Sequence, residues 1–350
     1  MTDLEPAPLS PIVVRPTAPA PVAYSDVDFT ISARTAQRLI NSTAENTRIA
    51  YDRAWKDFRE WCEAEGRVHL PATAQTLTEY VDHMCECGSA PNTIAQAIAT
   101  VRSKHADHGH QDEPDSRQPL KALKDYRKEW ADGGNREKQA TPIMVDALRA
   151  MVATCDLSTL QGARDRALLL LGFNMMARRS ELVGLDQGDV VESSNGLTVY
   201  VKRSKTDQEA RGITVAIPRG KHPETCAVEA INAWKARLAE RGLADGPLFR
   251  PIDRHGRVGG EPDGAGKGGV RLTGKSACDI VRRRGILAGL PEKYTSHGLR
   301  AGSASTAYAA GVPIAEIAKQ GRWNPNSPVL LRYIRFVDQW KNNPMKDIDL

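Results

Sequence analysis

One short polar segment, GGNREKQATP at residues 133–142, most constrains how this chain can fold, because it divides the sequence into two regions of different character. Its glycines, its charged residues and its final proline are typical of a linker. The 350 residues are enough for about two domains of ordinary size. We therefore predict a flexible, proline-rich tail at 1–28, one domain at 29–132 and a second domain at 143–350.

Helical periodicity dominates the first region. The sequence STAE has the form of a capping box with Ser42 as the N-cap, and apolar residues recur after it at helical spacing. Ser89 is the expected cap of a later helix that has Pro91 in its first turn. A further helix is expected to turn Leu120 and Leu123 toward the core. These patterns predict an all-helical bundle.

The second region mixes helices with a small sheet. Two alternating apolar runs, Leu197–Val201 and Ile213–Ile217, are joined by a polar stretch, which predicts an antiparallel β-hairpin. The sequence ARDRALLLLGFNMMARRSELVGL predicts a buried helix, a turn at 177–179 and a second helix that Ser180 caps. The fold class is therefore mainly α in two domains, the second of them mixed α/β.

Composition excludes several classes of protein. The six cysteines include no CxxC pair and no spacing typical of secreted proteins, which favours reduced thiols in the cytoplasm. No signal peptide and no apolar run of membrane-spanning length is visible, so no membrane association is expected. The net charge of +5 is compatible with a polyanionic partner, but positive charge would have to be concentrated locally.

Two motifs suggest cofactors that we do not expect. The sequence GVRLTGKS at 269–276 matches a phosphate-binding loop, but the residues before it cannot form the buried strand that such a loop leaves. The sequence HADHGH at 105–110 contains three histidines, yet a solvated helix end explains them better than a metal site. We expect neither a nucleotide nor a metal cofactor.

The informative signal is a set of dispersed motifs that occur in a fixed order: ARRSEL, RSKTD, HGLR, GRW and RYIR. Together they resemble the tyrosine recombinase, or phage integrase, family, and the tryptophan of GRW resembles the Cre-like branch. The resemblance covers about residues 40 to 340, weakly in the first region and strongly in the second. It implies a helical core-binding domain, of the SAM-like type, ahead of an integrase-type catalytic domain.

The resemblance implies a role for each residue type in breaking a phosphodiester bond. A tyrosine phenol can form a phosphotyrosyl ester that preserves the bond energy for rejoining, and guanidinium groups match the charge of the transition state. A lysine can protonate the departing oxygen, a histidine can exchange a proton near neutral pH, and an indole can donate to the phosphate. The catalytic set is Tyr333, Arg178, Arg300, His297, Lys205 and Trp323, with Glu181 as the partner of Arg178.

Alternatives remain open at two positions. Arg179 competes with Arg178, although the family motif R-x-S-E-L selects Arg178. Lys202, at the end of the first strand of the hairpin, is the alternative to Lys205.

The implied function is site-specific recombination of duplex DNA through a 3′-phosphotyrosyl intermediate and a Holliday junction. The implied partners are a target site with inverted repeats and three further copies of the chain, which exchange C-terminal tails in a tetramer at the nucleoid. A type IB topoisomerase or telomere resolvase, and a catalytically silent DNA-binding regulator, are the alternatives. Residues expected to contact DNA are Asn92, Thr93, Gln96, Lys121, Lys124, Arg282 and Arg283.

Overall fold

The computed structural model divides into two compact units, Met1–Glu137 and Lys138–Leu350. The boundary between them lies inside the segment 133–142. The structure describes residues 30–136, 140–202, 212–261 and 269–341 apart from positions 44 and 325, with Ser25, Val27, Asn343 and Met345, and it describes no side chain at 40, 41, 46 or 335–341.

The first unit is helical throughout its described part, as predicted. Its core is formed by apolar side chains that recur on one face of each long helix, among them Phe58, Leu77, Ile94 and Leu123. Burial of these side chains is the main source of stability for such a bundle. The helices are α1 (Ala33–Ser42), α2 (Glu45–Ala64), α3 (Ala74–Glu86), α4 (Pro91–Asp107) and α5 (Arg117–Asp132).

Two of the predicted helix caps are wrong. Ser42 is the last residue of α1, and its hydroxyl donates to the carbonyl of Leu39 at 2.6 Å. Helix α4 follows Ala90, which makes no side-chain capping bond, and Ser89 instead accepts a hydrogen bond from the Tyr126 hydroxyl at 3.1 Å on its carbonyl. At Ser42 the hydroxyl is used within its own helix and does not cap α2.

The predicted inward face of α5 is also shifted. Leu120 is 49% exposed, whereas Pro119 and Leu123 are buried. Residues four apart lie on one face of a helix, so burial of Pro119 in the first turn places Leu120 beside the buried face.

His105 is a buried core residue, and the prediction of a solvated helix end is wrong for it. Its Nε2 accepts the backbone N–H of Ala72 at 2.8 Å, and its Nδ1 lies 2.8 Å from the carbonyl of Val101. An imidazole that accepts at Nε2 donates at Nδ1, so both ring nitrogens are satisfied in the neutral form. His105 thereby fixes α4 to the segment that precedes α3.

The second unit combines helices with a three-stranded antiparallel sheet in the order β1-β2-β3. The predicted hairpin is confirmed, with Val199 opposite Val215. Strand β1 was not predicted, because only its first residue is buried and it lacks an alternating pattern. The elements are α6 (Val145–Ala153), α7 (Leu160–Asn174), α8 (Arg179–Gly184), β1 (Val190–Ser193), β2 (Gly196–Val201), β3 (Ile213–Pro218), α9 (Ala227–Ala239), α10 (Gly274–Leu287), α11 (Ser296–Ala309), α12 (Ile314–Gly321) and α13 (Pro328–Lys341).

Helix α7 is the centre of the second unit. All of its residues from Gly162 to Gly172 are buried, and α6, α9 and α11 pack around it. A helix that is buried on every side provides a rigid support for the turn that follows it. Across the described ranges, no helix has both the length and the apolar character needed to cross a membrane.

Two glycines allow α11 to lie directly against the backbone that precedes α6. The N–H of Ile143 donates to the carbonyl of Gly298 at 2.9 Å. A Cβ atom on Gly302 would lie 1.9 Å from the carbonyl oxygen of Ile143, and one on Gly298 would lie 2.5 Å from that of Thr141. The end of the predicted linker is therefore packed on the second unit, and it fixes the position of α11.

We predict that Gly302→Ala destabilises the second unit. The neighbouring atom is backbone and cannot rotate away, so overpacking should cost about 2 kcal/mol and lower the unfolding midpoint by roughly 5 °C. Thermal unfolding followed by circular dichroism measures the effect. Gly184→Ala in α8 is the matched control, because its added Cβ would meet nothing within 4 Å, and an unchanged midpoint for Gly302→Ala would contradict the packing argument.

Candidate active site

Four separate parts of the second unit bring the predicted residues together. The turn after α7 contributes Arg178, the first turns of α11 contribute His297 and Arg300, the residues after α12 contribute Trp323, and α13 contributes Tyr333. Lys205 lies outside the described residues.

The Tyr333 phenol faces His297. Its oxygen lies 2.5 Å from Nε2 of the imidazole, and the ring centroids are 5.9 Å apart at an angle of 64°. Tyr333 is only 8% exposed. Burial raises the pKa of the Tyr333 phenol above its ordinary value, although nearby arginines oppose the shift. The phenol is therefore protonated at neutral pH and needs a base before it can act as a nucleophile.

His297 can be that base. Burial lowers the pKa of its imidazole below the ordinary value, and the positive charges of Arg300 and Arg178 lower it further. An imidazole with a lowered pKa is neutral at pH 7 and can accept a proton at Nε2. The arginines thus contribute indirectly to the state of the histidine.

Arg300 is almost completely buried, at 2% exposure. It donates to the carbonyl of Met176, and a second nitrogen donates to the carbonyl of Gly321 at 2.5 Å. Its guanidinium carbon lies 3.7 Å from the centroid of the Trp323 ring, which is a cation–π contact. Burial, together with the charges of Arg178 and Arg322, lowers the pKa of Arg300 to about 9. It therefore remains charged at neutral pH.

Gly321 makes the position of the Trp323 ring possible. A Cβ atom at residue 321 would lie 1.9 Å from an atom of that ring. The ring also approaches Tyr333, with centroids 6.0 Å apart at an angle of 65°. Trp323 therefore forms one wall of the site, between the buried guanidinium and the phenol.

Arg178 is anchored by Glu181. Its backbone N–H donates to Glu181 Oε2 at 2.8 Å, and its Nη1 donates to Oε1 at 2.7 Å. Arg178 itself is the N-cap of α8, so the prediction that Ser180 caps this helix is wrong. Arg179 is exposed and directs its guanidinium toward Cys278. The structure therefore places Arg178, and not Arg179, next to the other predicted residues.

Arg322 is the site residue that sequence reasoning missed. Its side chain is 1% exposed and donates to Glu181 Oε2 at 2.7 Å, and to the carbonyls of Met175 at 3.1 Å and Met176 at 3.2 Å. Burial alone would raise the pKa of Glu181, but the charge of Arg322 and the hydrogen bonds of Arg178 outweigh it and lower that pKa. The GRW motif contained the signal, although only its tryptophan was assigned a role.

Lys202 forms ion pairs with two carboxylates. Its Nζ lies 2.7 Å from a carboxylate oxygen of Asp186 and 2.9 Å from one of Asp189. Hydrogen bonds to both carboxylates raise the pKa of Lys202. A lysine that holds its proton more tightly is a weaker general acid.

The residues predicted to contact DNA lie in two kinds of environment. On α4 and α5 they are exposed at the surface of the first unit, while on α10 they are paired with acids. Arg282 lies 2.7 Å from Asp279, and Arg283 lies 2.8 Å from the buried Asp165. The exposed residues are Asn92, Thr93, Gln96, Lys121 and Lys124.

Comparisons with known proteins agree with this geometry. Residues 143–339 match the phage integrase family. The chain is 31% identical over 320 residues to an integrase/recombinase, a xerD homolog, of Selenomonas ruminantium, covering 90% of this chain and 89% of the relative. It is 25% identical over 294 residues to the recombinase cre of Escherichia phage P1, covering 81% of this chain and 82% of that relative.

Solved structures share the fold. The integrase of transposon Tn1549, in complex with transposon right end DNA, superposes with a TM-score of 0.57 at 15% identity, over 86% of this chain and 92% of that one. A lambda integrase dimer bound to a COC′ core site gives a TM-score of 0.51 at 15% identity, over 86% and 75% of the two chains. The predicted fold class is confirmed.

The fold and the site define a tyrosine recombinase. The chain belongs to the phage integrase family, and its function is site-specific DNA recombination.

We predict that the His297 imidazole titrates below pH 6.5 in the DNA-free protein, because burial and two arginines disfavour its charged form. NMR titration of the ring proton measures this, with the resonance assigned by its loss in His297→Gln. The unfolded chain binds this proton more tightly, so this group reduces stability as the pH falls below about 6.5. A midpoint above 6.5 would show that the arginines do not act on His297.

Proposed function

We propose that Tyr333 cuts one strand of duplex DNA at each site and holds it as a 3′-phosphotyrosyl ester until a strand from the partner duplex replaces it. The observation that carries this proposal is the 2.5 Å approach of the Tyr333 hydroxyl to His297 Nε2, beside two guanidiniums. A covalent ester preserves the energy of the phosphodiester for rejoining. Two such exchanges in sequence pass through a Holliday junction.

The first step transfers a proton and forms one bond. His297 Nε2 accepts the proton of the Tyr333 hydroxyl as the phenolic oxygen attacks phosphorus. The bond between phosphorus and the 5′ oxygen breaks, and that oxygen leaves with the electron pair. Rejoining reverses each of these movements with a 5′ hydroxyl of another strand.

Arg178 and Arg300 stabilise the transition state. Negative charge gathers on the non-bridging phosphate oxygens, and guanidiniums that are charged at neutral pH are donors with forked geometry. The contacts of both side chains with the protein hold them in place before DNA arrives, so little reorganisation is needed during the reaction. Trp323 supports this arrangement because its ring packs against Arg300.

Lys205 is the proposed general acid that protonates the departing 5′ oxygen. It lies in the connection between β2 and β3, which is the position of the family's lysine. The alternative, Lys202, is held by Asp186 and Asp189, and its raised pKa disfavours proton donation.

We propose that the helical unit recognises the target sequence. Asn92, Thr93 and Gln96 lie on the exposed face of α4, where amide and hydroxyl groups can read base edges in a major groove. Lys121 and Lys124 can contact phosphates, which contribute affinity without sequence information. Arg282 and Arg283 would have to exchange their acidic partners for phosphates, so we expect them to contribute less.

The proposed assembly is a tetramer made from two dimers, each bound to inverted repeats, in the cell's nucleoid. A related lambda integrase has been solved as a dimer on a core site, which supports a dimer as the unit that binds one DNA site. The proposed exchange of C-terminal tails concerns residues 336–350, which include the end of α13, and most of their side chains lie outside the described part of the chain. The alternatives of a topoisomerase or telomere resolvase, and of a silent regulator, are not favoured by these relatives.

We predict that Tyr333→Phe abolishes covalent capture of DNA while binding persists, because the variant loses only the attacking oxygen. The target site is first mapped by protection on the DNA that flanks the gene, and a nicked duplex containing it then traps the ester. Gel electrophoresis under denaturing conditions detects the adduct. Tyr308→Phe in the same apolar cluster is the control, and an adduct with Tyr333→Phe would refute the assignment.

We predict that Lys205→Ala slows cleavage of ordinary DNA by about 100-fold or more, which is the usual contribution of a general acid. A duplex with sulfur at the bridging 5′ position needs no protonation, so the variant should cleave it at the wild-type rate. Lys202→Ala is the matched control and should behave alike on both duplexes. Failure of sulfur to rescue Lys205→Ala would assign the acid to another group.

A further inference from the structure

Arg322 lies at the point where the two phosphate-binding arginines are fixed. Its guanidinium shares the carboxylate of Glu181 with Arg178, and it shares the carbonyl of Met176 with Arg300. Its own carbonyl accepts a hydrogen bond from Arg178 at 3.3 Å. The residues on either side of it, Gly321 and Trp323, both contact Arg300.

The backbone conformation of Arg322 is part of this arrangement. Residue 322 has φ of 59° and ψ of 45°, the left-handed conformation that ends α12. Only a few per cent of residues other than glycine adopt it. This turn sends the Arg322 side chain into the protein toward Met175, while Trp323 continues into the site. Met176 is also left-handed, with φ of 47°, and its carbonyl accepts from both Arg300 and Arg322.

The charge of Arg322 matters as much as its position. Two guanidiniums, those of Arg178 and Arg322, lie 2.7 Å from the carboxylate of Glu181. A buried carboxylate that faced Arg178 alone would neutralise much of the charge that Arg178 offers to a phosphate. With a second guanidinium on the same carboxylate, Arg178 is held in place and keeps more of its positive potential.

We propose that Arg322 is a positioning residue that balances the charge of Glu181, so that Arg178 is oriented by this carboxylate without being neutralised by it. Its terminal nitrogens donate to Glu181 and to the carbonyls of Met175, Met176 and Gln320, so it acts through Arg178 and not through a contact with DNA. This inference rests on the proposed function, in which Arg178 binds the phosphate. It assigns to Arg322 a role in the chemical step and not in DNA binding.

The test compares Arg322→Met, Glu181→Gln and the double variant. Single-turnover formation of the covalent adduct is measured at saturating nicked duplex, and the Kd for intact duplex is measured separately. Arg322→Met should slow adduct formation by on the order of tenfold or more, because Glu181 then neutralises the charge of Arg178 alone. The Kd for intact duplex should change little. The double variant should react faster than Arg322→Met, because Glu181→Gln removes the unbalanced charge.

Simple loss of packing predicts the opposite order of rates, because two substitutions in one buried cluster would make the double variant the slowest to form the adduct. A double variant no faster than Arg322→Met, or Arg322→Met within about twofold of wild type, would overturn the inference. If thermal unfolding shows that Arg322→Met does not fold, the rate of adduct formation by Arg322→Lys tests the inference in its place. It keeps the charge and should stay within about tenfold of wild type, whereas a loss of about 100-fold would exclude charge balance.

The wild-type protein distinguishes a failure of the proposed function from a failure of the role proposed for Arg322. If it forms no adduct on its mapped site, the proposed function fails. If it forms an adduct and the three variants behave as simple packing predicts, only the role of Arg322 fails.

Discussion

A buried carboxylate between two guanidiniums organises the candidate active site. Glu181 accepts hydrogen bonds from the side chains of Arg178 and Arg322, and from the backbone of Arg178 as the first turn of α8 begins. Burying a single charge is costly, and the hydrogen bonds from both partners offset that cost for Glu181. Each partner in turn brings a separate part of the chain to the site, the turn after α7 and the end of α12. The carbonyl of Met176 then links Arg300 on α11 to the same point.

The same charges favour the protonation states that the proposed reaction needs. Burial and the arginines keep His297 neutral, while burial keeps the Tyr333 phenol protonated despite those arginines. The hydroxyl and the imidazole are therefore a donor and an acceptor in contact before DNA binds. A bound phosphate would partly neutralise the guanidiniums, which favours the charged imidazole that forms when His297 takes the proton. In the proposed mechanism, DNA binding and proton transfer are thus coupled through one electrostatic environment.

Local sequence patterns were reliable where one local preference acted without competition. The β2–β3 hairpin was predicted because apolar residues alternate in both strands, and the tight contact of α11 agrees with its glycines, Gly298 and Gly302. Predictions failed where other contacts competed. The Ser42 hydroxyl bonds to Leu39 in its own helix, and Ala90, not Ser89, is the N-cap of α4. Burial of His105 depends on the N–H of Ala72, which is 33 residues away in the chain.

The sequence alone determined the family and the fold class, and it supplied the candidate site residues, because these depend on residue type, order and local composition. Only the tertiary structure decided how the residues act on one another. It showed which arginine of the ARRSEL motif faces the site, why Lys202 is a poor acid, and that Arg322 is buried against Glu181. Glu181 and Arg322 are 141 residues apart, and no local pattern records such a contact. The physical reason is that charge balance in a buried site is a property of the packed groups together and not of any one segment.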